Sequence, residues 1–318
     1  MSPAGRFAIR LTAGIGLLAL VLTRVDWTGF ALGGGSALAA IGLGAGLLLA
    51  SQAVAACRWR LILGVAELPW SYLVRLYVIA SFFSLLLPTA VGGDAARAAA
   101  AARAARRPGG AVASVLVDRM LGVVALLVYA LLGLLLARGT PPLLFEAVAL
   151  RTRPATLALA FAILASGALV LAVLARRSAR LAGLLRDGRS LLVALARDPR
   201  TLTLALVLAL VVQGLILAIW WCLAHGLGLA IPLTTILVAV PVVTLGTMLP
   251  ITLAGLGVRE GIWLLLLEGS GVPPSRVVAM SIGYFGSALL VGAVGLALFV
   301  ARGIEPARPG SAASGGQS

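Results

Sequence analysis

The chain has 318 residues, 61% hydrophobic and only 11% charged, with a mean hydropathy of +1.12. A soluble domain is about 45–50% apolar and about 25% charged, so these few charges cannot cover a globular surface of this size. A soluble enzyme, a secreted disulfide scaffold, a coiled coil and a disordered chain are thereby excluded, which leaves an all-α polytopic membrane protein. The charge balance is basic: 25 arginines and no lysine stand against 10 acidic residues, for a net charge of +15. A nucleic-acid partner is not indicated, because such proteins carry their basic patch on a soluble face, whereas here the arginines lie between apolar stretches. The absence of lysine fits a GC-rich coding bias. Cys57 and Cys222 have no zinc or redox spacing, and the single His225 cannot build a metal site. No cofactor, metal or catalytic residue is expected.

About 20 apolar residues span a bilayer, so the length accommodates roughly six to nine spans. Arg6 and Arg10 precede an apolar run to Leu22. Thr23-Arg24-Val25-Asp26-Trp27 is a poor cleavage site, so a retained helix over about 7–23 is expected rather than a signal peptide. A second apolar segment runs over about 31–56, where Gly42, Gly44 and Gly46 permit close helix contact. Arg58 and Arg60 follow it, and basic ends on one side of this hairpin mark that side as cytoplasmic.

Leu76–Val91 is short for a span and carries Pro88, then Gly92-Gly93-Asp94, Arg97, Arg103, Arg106 and Arg107. With basic residues on both flanks, a re-entrant element satisfies the positive-inside rule better than a crossing. Broken helices at membrane depth need protein or water around them, which makes this break a functional candidate. Ala111–Ala137 reads as a clear span, 138–153 as a loop and Ala155–Ala175 as a further span. Residues 176–200 read as the main polar loop, with seven arginines against Asp187 and Asp198. It is the strongest cytoplasmic marker, and its basic face suits anionic headgroups. Leu202–Ala224 is another span. Leu233–Leu249 is apolar and interrupted by Pro241 and Pro250. The last span covers about 277–301, and 303–318 reads as a disordered tail. Residues 1–302 thus form one transmembrane domain with halves of about 1–140 and 141–302.

Two segments repeat. Leu87-Pro88 is followed by Gly92-Gly93-Asp94 and Arg97, and Leu249-Pro250 by Gly255-Leu256-Gly257-Val258-Arg259-Glu260; the arginine falls nine residues after the proline in both. Each half also reads span, span, broken segment, span. Three spans per half turns one half over relative to the other, an inverted repeat of about 3+3 full spans plus two broken segments, as in transporters. Both termini are then cytoplasmic. Eight conventional crossings is the competing count, and Arg259 and Arg276 on the outer side are the cost of the inverted arrangement.

Asp118-Arg119 lies seven to eight residues into its helix, about 10 Å along the axis. Ionised groups at such depth cost about 2.5–3.5 kcal/mol each on insertion scales and are usually paired toward the protein interior. Adjacent helical residues diverge by about 100°, so the expected pairs are Asp118 with Arg97 or Arg119 with Asp94. These pairs either brace the broken segment or build an arginine-lined pocket for a phosphate headgroup, since guanidinium binds phosphate bidentately and glycines let backbone N–H groups approach an anion.

Taken in order, Arg58-Trp59 with Leu61 and Leu63, Leu87-Pro88 with Gly93-Asp94 and Arg97, Asp118-Arg119, and Leu249-Pro250 with Gly255-Leu256-Gly257-Val258-Arg259-Glu260 resemble the transmembrane region of lysylphosphatidylglycerol synthases over roughly residues 7–301. That region forms a flippase-like family; in the bifunctional multiple peptide resistance factors it moves an aminoacylated phospholipid to the outer leaflet. Two positions depart from the family pattern: Ser84 precedes the first Leu-Pro where relatives often have Asn, and Gly122 stands where relatives often repeat an acid. Only a short tail follows residue 301, so the chain is expected not to synthesise the lipid itself. The resemblance implies a lipid flippase of the bacterial inner membrane, not an enzyme. It would move a phospholipid or lipid-linked carrier, alone, as a homo-oligomer or beside a separate synthase or glycosyltransferase. Arg97, Arg259 and Arg119 are the expected headgroup phosphate ligands, and Asp94, Asp118 and Glu260 their counter-ions or gating partners. Pro88, Gly92, Gly93, Pro250, Gly255 and Gly257 are the expected helix breaks. The alternatives are a non-transporting partner of an envelope lipid or glycan system, or a membrane lipid-phosphate transferase.

Overall fold

The computed structural model describes residues 34–64, 68–86, 91–105, 108–136, 179–248 and 255–304. The expected helix over 7–23, the loop 138–153, the span 155–175, Pro88, Pro250 and the tail beyond 304 lie outside the described residues. Among those described there are nine helices and no strand, so the protein is an all-α polytopic membrane protein. In chain order the helices are α1 (Gly35–Leu63), α2 (Trp70–Leu86), α3 (Val91–Ala105), α4 (Pro108–Leu136), α5 (Ala179–Arg197), α6 (Pro199–Gly226), α7 (Leu233–Met248), α8 (Val258–Leu266) and α9 (Pro274–Arg302). Helices α1, α4, α6 and α9 are each long and apolar enough to cross a membrane, whereas α2 and α7 are shorter apolar helices.

The apolar residues surround each long helix, as lipid requires, so burial rather than hydrophobicity distinguishes the inner face. On α4, Leu116, Met120, Val124, Leu127 and Leu131 are exposed at helical spacing, while Val117, Asp118, Leu121 and Ala125 on the other side are buried. On α1 the buried stripe is small: Ala37, Ala40, Gly44, Ser51, Ala55. Small residues let helix backbones close up where no hydrophobic effect drives association, and α1 makes its largest contact with α6. Of the three glycines expected to serve this purpose only Gly44 does so; a Cβ there would press on Ile219 and the Ser287 hydroxyl, while Gly42 and Gly46 face open space.

The helix contacts follow the sequence repeat. Exchanging α1 with α6, α2 with α7, α3 with α8 and α4 with α9 maps the contact set onto itself: α2 packs on α9 as α7 packs on α4, and α1 on α9 as α6 on α4. Helices α2 and α7 therefore each dock on the final span of the opposite half.

Three expectations change. Residues 179–197 form a helix rather than a polar loop. Arg186, Arg189 and Arg197 are exposed while Leu191, Leu192 and Leu195 pack beside Ile62, Val117, Ala205 and Ala209, so an apolar stripe was hidden by the charge around it. Pro241 does not interrupt the second broken segment; α7 continues through it, as membrane helices can when neighbours accommodate the freed backbone groups. Helix α1 extends through Leu63, which carries Arg58 inside the bundle instead of onto its cytoplasmic rim.

Candidate functional site

The site grows from two helices whose charges cannot avoid the interior. On α3, Asp94 and Arg97 are three residues apart and share one face, where Arg97 Nη2 donates to Asp94 at 2.8 Å. On α4, Asp118 and Arg119 diverge, and each meets a different end of that pair. Arg119 Nε donates to Asp94 at 2.6 Å, and Arg97 Nη1 lies 3.5 Å from Asp118. Both anticipated cross-pairs are thus present together. Arg58 of α1 completes the chain through Nε at 2.6 Å from Asp118, and the Tyr77 hydroxyl donates to the other Asp118 oxygen at 2.8 Å. The result alternates in sign, Arg58, Asp118, Arg97, Asp94, Arg119, with three cations against two anions. Removing one member of such a buried array leaves an uncompensated charge.

Aromatic rings hold the middle of this chain. The Arg97 guanidinium sits 4.0 Å from the Tyr77 ring centre and 4.9 Å from that of Trp59, two cation–π contacts in the corner formed by the edge-to-face rings. Trp59 is itself positioned by its indole N–H on the Ser114 hydroxyl at 2.9 Å. The close approach of α3 to α2 depends on Gly93, where a Cβ would run into the Ala80 carbonyl and the Ser84 hydroxyl. Gly92 and Gly93 lie in the first turn of α3 and so are not the break itself; a glycine pair in sequence signalled close packing rather than a stop.

The second segment is built differently. Gly255 and Gly257 have φ of +73° and +80°, values that side chains with a Cβ disfavour, and they form the turn into α8 as expected. Glu260 folds back to accept from the Gly257 N–H at 2.6 Å, the acidic half of a capping box, and also accepts from the Ser281 hydroxyl. Both of its oxygens are therefore engaged. Arg259 beside it is 5% exposed and touches Glu260 only at 3.5 Å, without hydrogen-bond geometry; among the described residues its Nε and Nη2 make no hydrogen bond. It rests 5.3 Å from the Tyr284 ring centre and 5.9 Å from that of Phe285, and Tyr284 stacks on Trp220 with the planes 5° apart.

Between the two segments lies a cavity of about 430 Å³, in the range of small-molecule sites, about 300–1,000 Å³. Arg58, Arg97, Arg119 and Arg259 line it together with Asp94 and Asp118, an excess of two positive charges. Glu260 stands one layer behind. Gly93 and Gly255 also reach the wall. The sequence did not single out the wall's neutral polar residues Gln52, Ser81 and Gln213, or its aromatic Tyr77 and Tyr284; Ser84, noted only as a departure from the family pattern, also lines it. Isolated polar residues in apolar runs were the available signal. Among the described residues no group of three or more metal-ligating side chains occurs.

The sequence profile of a family described as "Lysylphosphatidylglycerol synthase TM region" matches residues 7–295. No curated protein and no solved structure matches the chain.

Proposed function

Because the chain belongs to the lysylphosphatidylglycerol synthase transmembrane-region family, we propose that it is a lipid translocase, in which the cavity takes the phosphate headgroup of a phospholipid or lipid-linked carrier between leaflets. The observation that carries this reading is Arg259: a buried guanidinium on the cavity wall with two nitrogens lacking a hydrogen bond. An unsatisfied buried donor costs about 1–3 kcal/mol, and a phosphate oxygen would relieve that cost with a charge-assisted bond. Arg58, Arg97 and Arg119 each hydrogen-bond a carboxylate, whereas Arg259 only approaches Glu260 at 3.5 Å. Arg259, with two nitrogens lacking a hydrogen bond against one on Arg58, is therefore the first phosphate ligand, and the others supply the positive field around it. No covalent bond of the lipid is made or broken.

The exchange of helix contacts between halves supports an inverted repeat with the headgroup site between the two broken segments, an arrangement suited to alternating access. The basic residues of α5 favour the cytoplasmic face of a bacterial inner membrane, which puts both termini on that face. A second reading, a non-transporting assembly partner, is favoured by the internal pairing within the Arg58–Arg119 array, which suits a brace. Reconstituting the full chain in liposomes separates them. Translocation predicts that acyl-labelled phosphatidylglycerol, phosphatidylethanolamine or a polyprenyl-linked sugar equilibrates between leaflets faster than in protein-free vesicles. If none of them does, the translocase reading is overturned.

A further inference from the structure

The cavity also discriminates among headgroups, and this deepens the translocase reading and rests on it. We infer that the site selects a phosphate headgroup extended by an uncharged hydroxylated group, and rejects one extended by a cationic amino-acyl group.

The first observation is the state of the acids. A headgroup ammonium needs a carboxylate whose charge is not already matched by cations of the protein. Asp118 accepts from Arg58 on one oxygen and from Tyr77 and Arg97 on the other. Asp94 accepts from Arg97 on one oxygen and from Arg119 on the other. Glu260, behind the wall, is closed by Gly257 and Ser281. Asp118 and Asp94 therefore each already face two guanidinium groups, and among the described residues four guanidinium groups line a space with two carboxylates. An incoming cation would meet like charge without a counter-ion, which costs several kcal/mol in a confined site.

The second observation is the neutral part of the wall. Gln52 donates its amide N–H to the Ser81 hydroxyl at 2.7 Å, and Gln213 donates to the Gly122 carbonyl at 3.3 Å. Among the described residues, neither carboxamide oxygen accepts a hydrogen bond, and both residues line the cavity with Ser84. Two uncharged acceptors and a hydroxyl match the hydroxyl donors of a glycerol or sugar. The phosphate would take the donors of Arg259, while the hydroxylated extension meets the carboxamides. Gly122 belongs to the same logic: it occupies the wall where a further acid would have supplied a cation's partner.

The test uses the full chain in liposomes with three acyl-labelled probes: phosphatidylglycerol, a polyprenyl-phosphate sugar and lysylphosphatidylglycerol. The first two are alternative sources of the favoured headgroup chemistry. At least one of them should equilibrate faster than lysylphosphatidylglycerol by about tenfold or more, the scale expected for placing like charges together. Lysylphosphatidylglycerol moving as fast as the better of the two overturns the selectivity while leaving translocation standing. If no probe moves faster than in protein-free vesicles, translocation itself falls and the selectivity with it. Gln52→Glu gives an internal check: the Ser81 hydroxyl, which donates to the Tyr77 carbonyl at 3.2 Å, can turn to donate to the new carboxylate, and a melting curve checks that the variant is folded. This variant should shift the rate ratio toward lysylphosphatidylglycerol; an unchanged ratio in an active variant overturns the assignment of the wall.

Discussion

The division of labour between a bracing array and an exposed ligand can be tested by comparing Asp118→Asn with Arg259→Gln. In Asp118→Asn the central anion between Arg58 and Arg97 is lost, and with it three contacts at 2.6, 2.8 and 3.5 Å. Breaking a buried ion pair from one side costs about 3–5 kcal/mol. At roughly 2 °C per kcal/mol for a chain of this size, the melting temperature should fall by about 6–10 °C. Arg259→Gln removes a guanidinium that has no hydrogen bond at two nitrogens. Glu260 loses its 3.5 Å ion pair with Arg259 but keeps its hydrogen bonds from Gly257 and Ser281, which continue to hold its charge. The lost cation–π contact, about 0.5–2 kcal/mol, is offset by relief of unsatisfied donors, about 1–3 kcal/mol. The net change should keep the melting temperature within about 2 °C of the native value. Both variants are purified in detergent and melted by fluorescence-detected size exclusion, then assayed in liposomes. Arg259→Gln should be stable and unable to translocate lipid. If it melts as low as Asp118→Asn, Arg259 is a brace and the reasoning for its free valence is refuted; if it is stable and fully active, Arg259 is not the phosphate ligand.

Gly93→Ala should cost about 1–3 kcal/mol, the range for overpacking, because its Cβ would meet the Ala80 carbonyl where α3 crosses α2; Gly42→Ala, with open space around it, should melt like the native protein. Asp198 caps α6 from outside the span, accepting from the backbone N–H groups of Arg200 and Thr201 and from the Thr201 hydroxyl. The Thr201 bonds first, and then that from Arg200, hold its carboxyl below the ordinary range. A carboxyl depressed in the folded state stabilises above its unfolded value and loses that contribution as pH falls through the folded one. The melting difference between native protein and Asp198→Ala should therefore be present at neutral pH and shrink below the ordinary carboxylate range; a difference that is independent of pH would refute the capping account.

Much of the architecture was readable because bilayer physics restricts the options. Four of the apolar segments became α1, α4, α6 and α9, since only a helix satisfies its own backbone in lipid. The pairing of Asp118 with Arg97 and Arg119 with Asp94 was readable for a related reason: buried charges must find partners, and few were in reach. Arg58 was not readable. Its position after an apolar run matches a cytoplasmic topology marker, and only the added turns of α1 carry it to Asp118. The α5 helix was obscured similarly, because seven arginines in 176–200 dominate its composition while the three leucines that dock it are unremarkable alone.

Sequence by itself determined the solvent, the helical class, the repeat and the charges that had to be buried, because each follows from composition or from the cost of an unpaired group in lipid. Tertiary structure decided which of two equivalent-looking arginines is available. Arg97 and Arg259 stand nine residues after their prolines, yet Arg97 lies between Asp94 and Asp118, whereas the carboxylate next to Arg259 is turned to the Gly257 N–H and Ser281. Spacing along a chain can place two cations symmetrically, but one of the anions on Arg97, Asp118, arrives from another helix, and only packing brings it there.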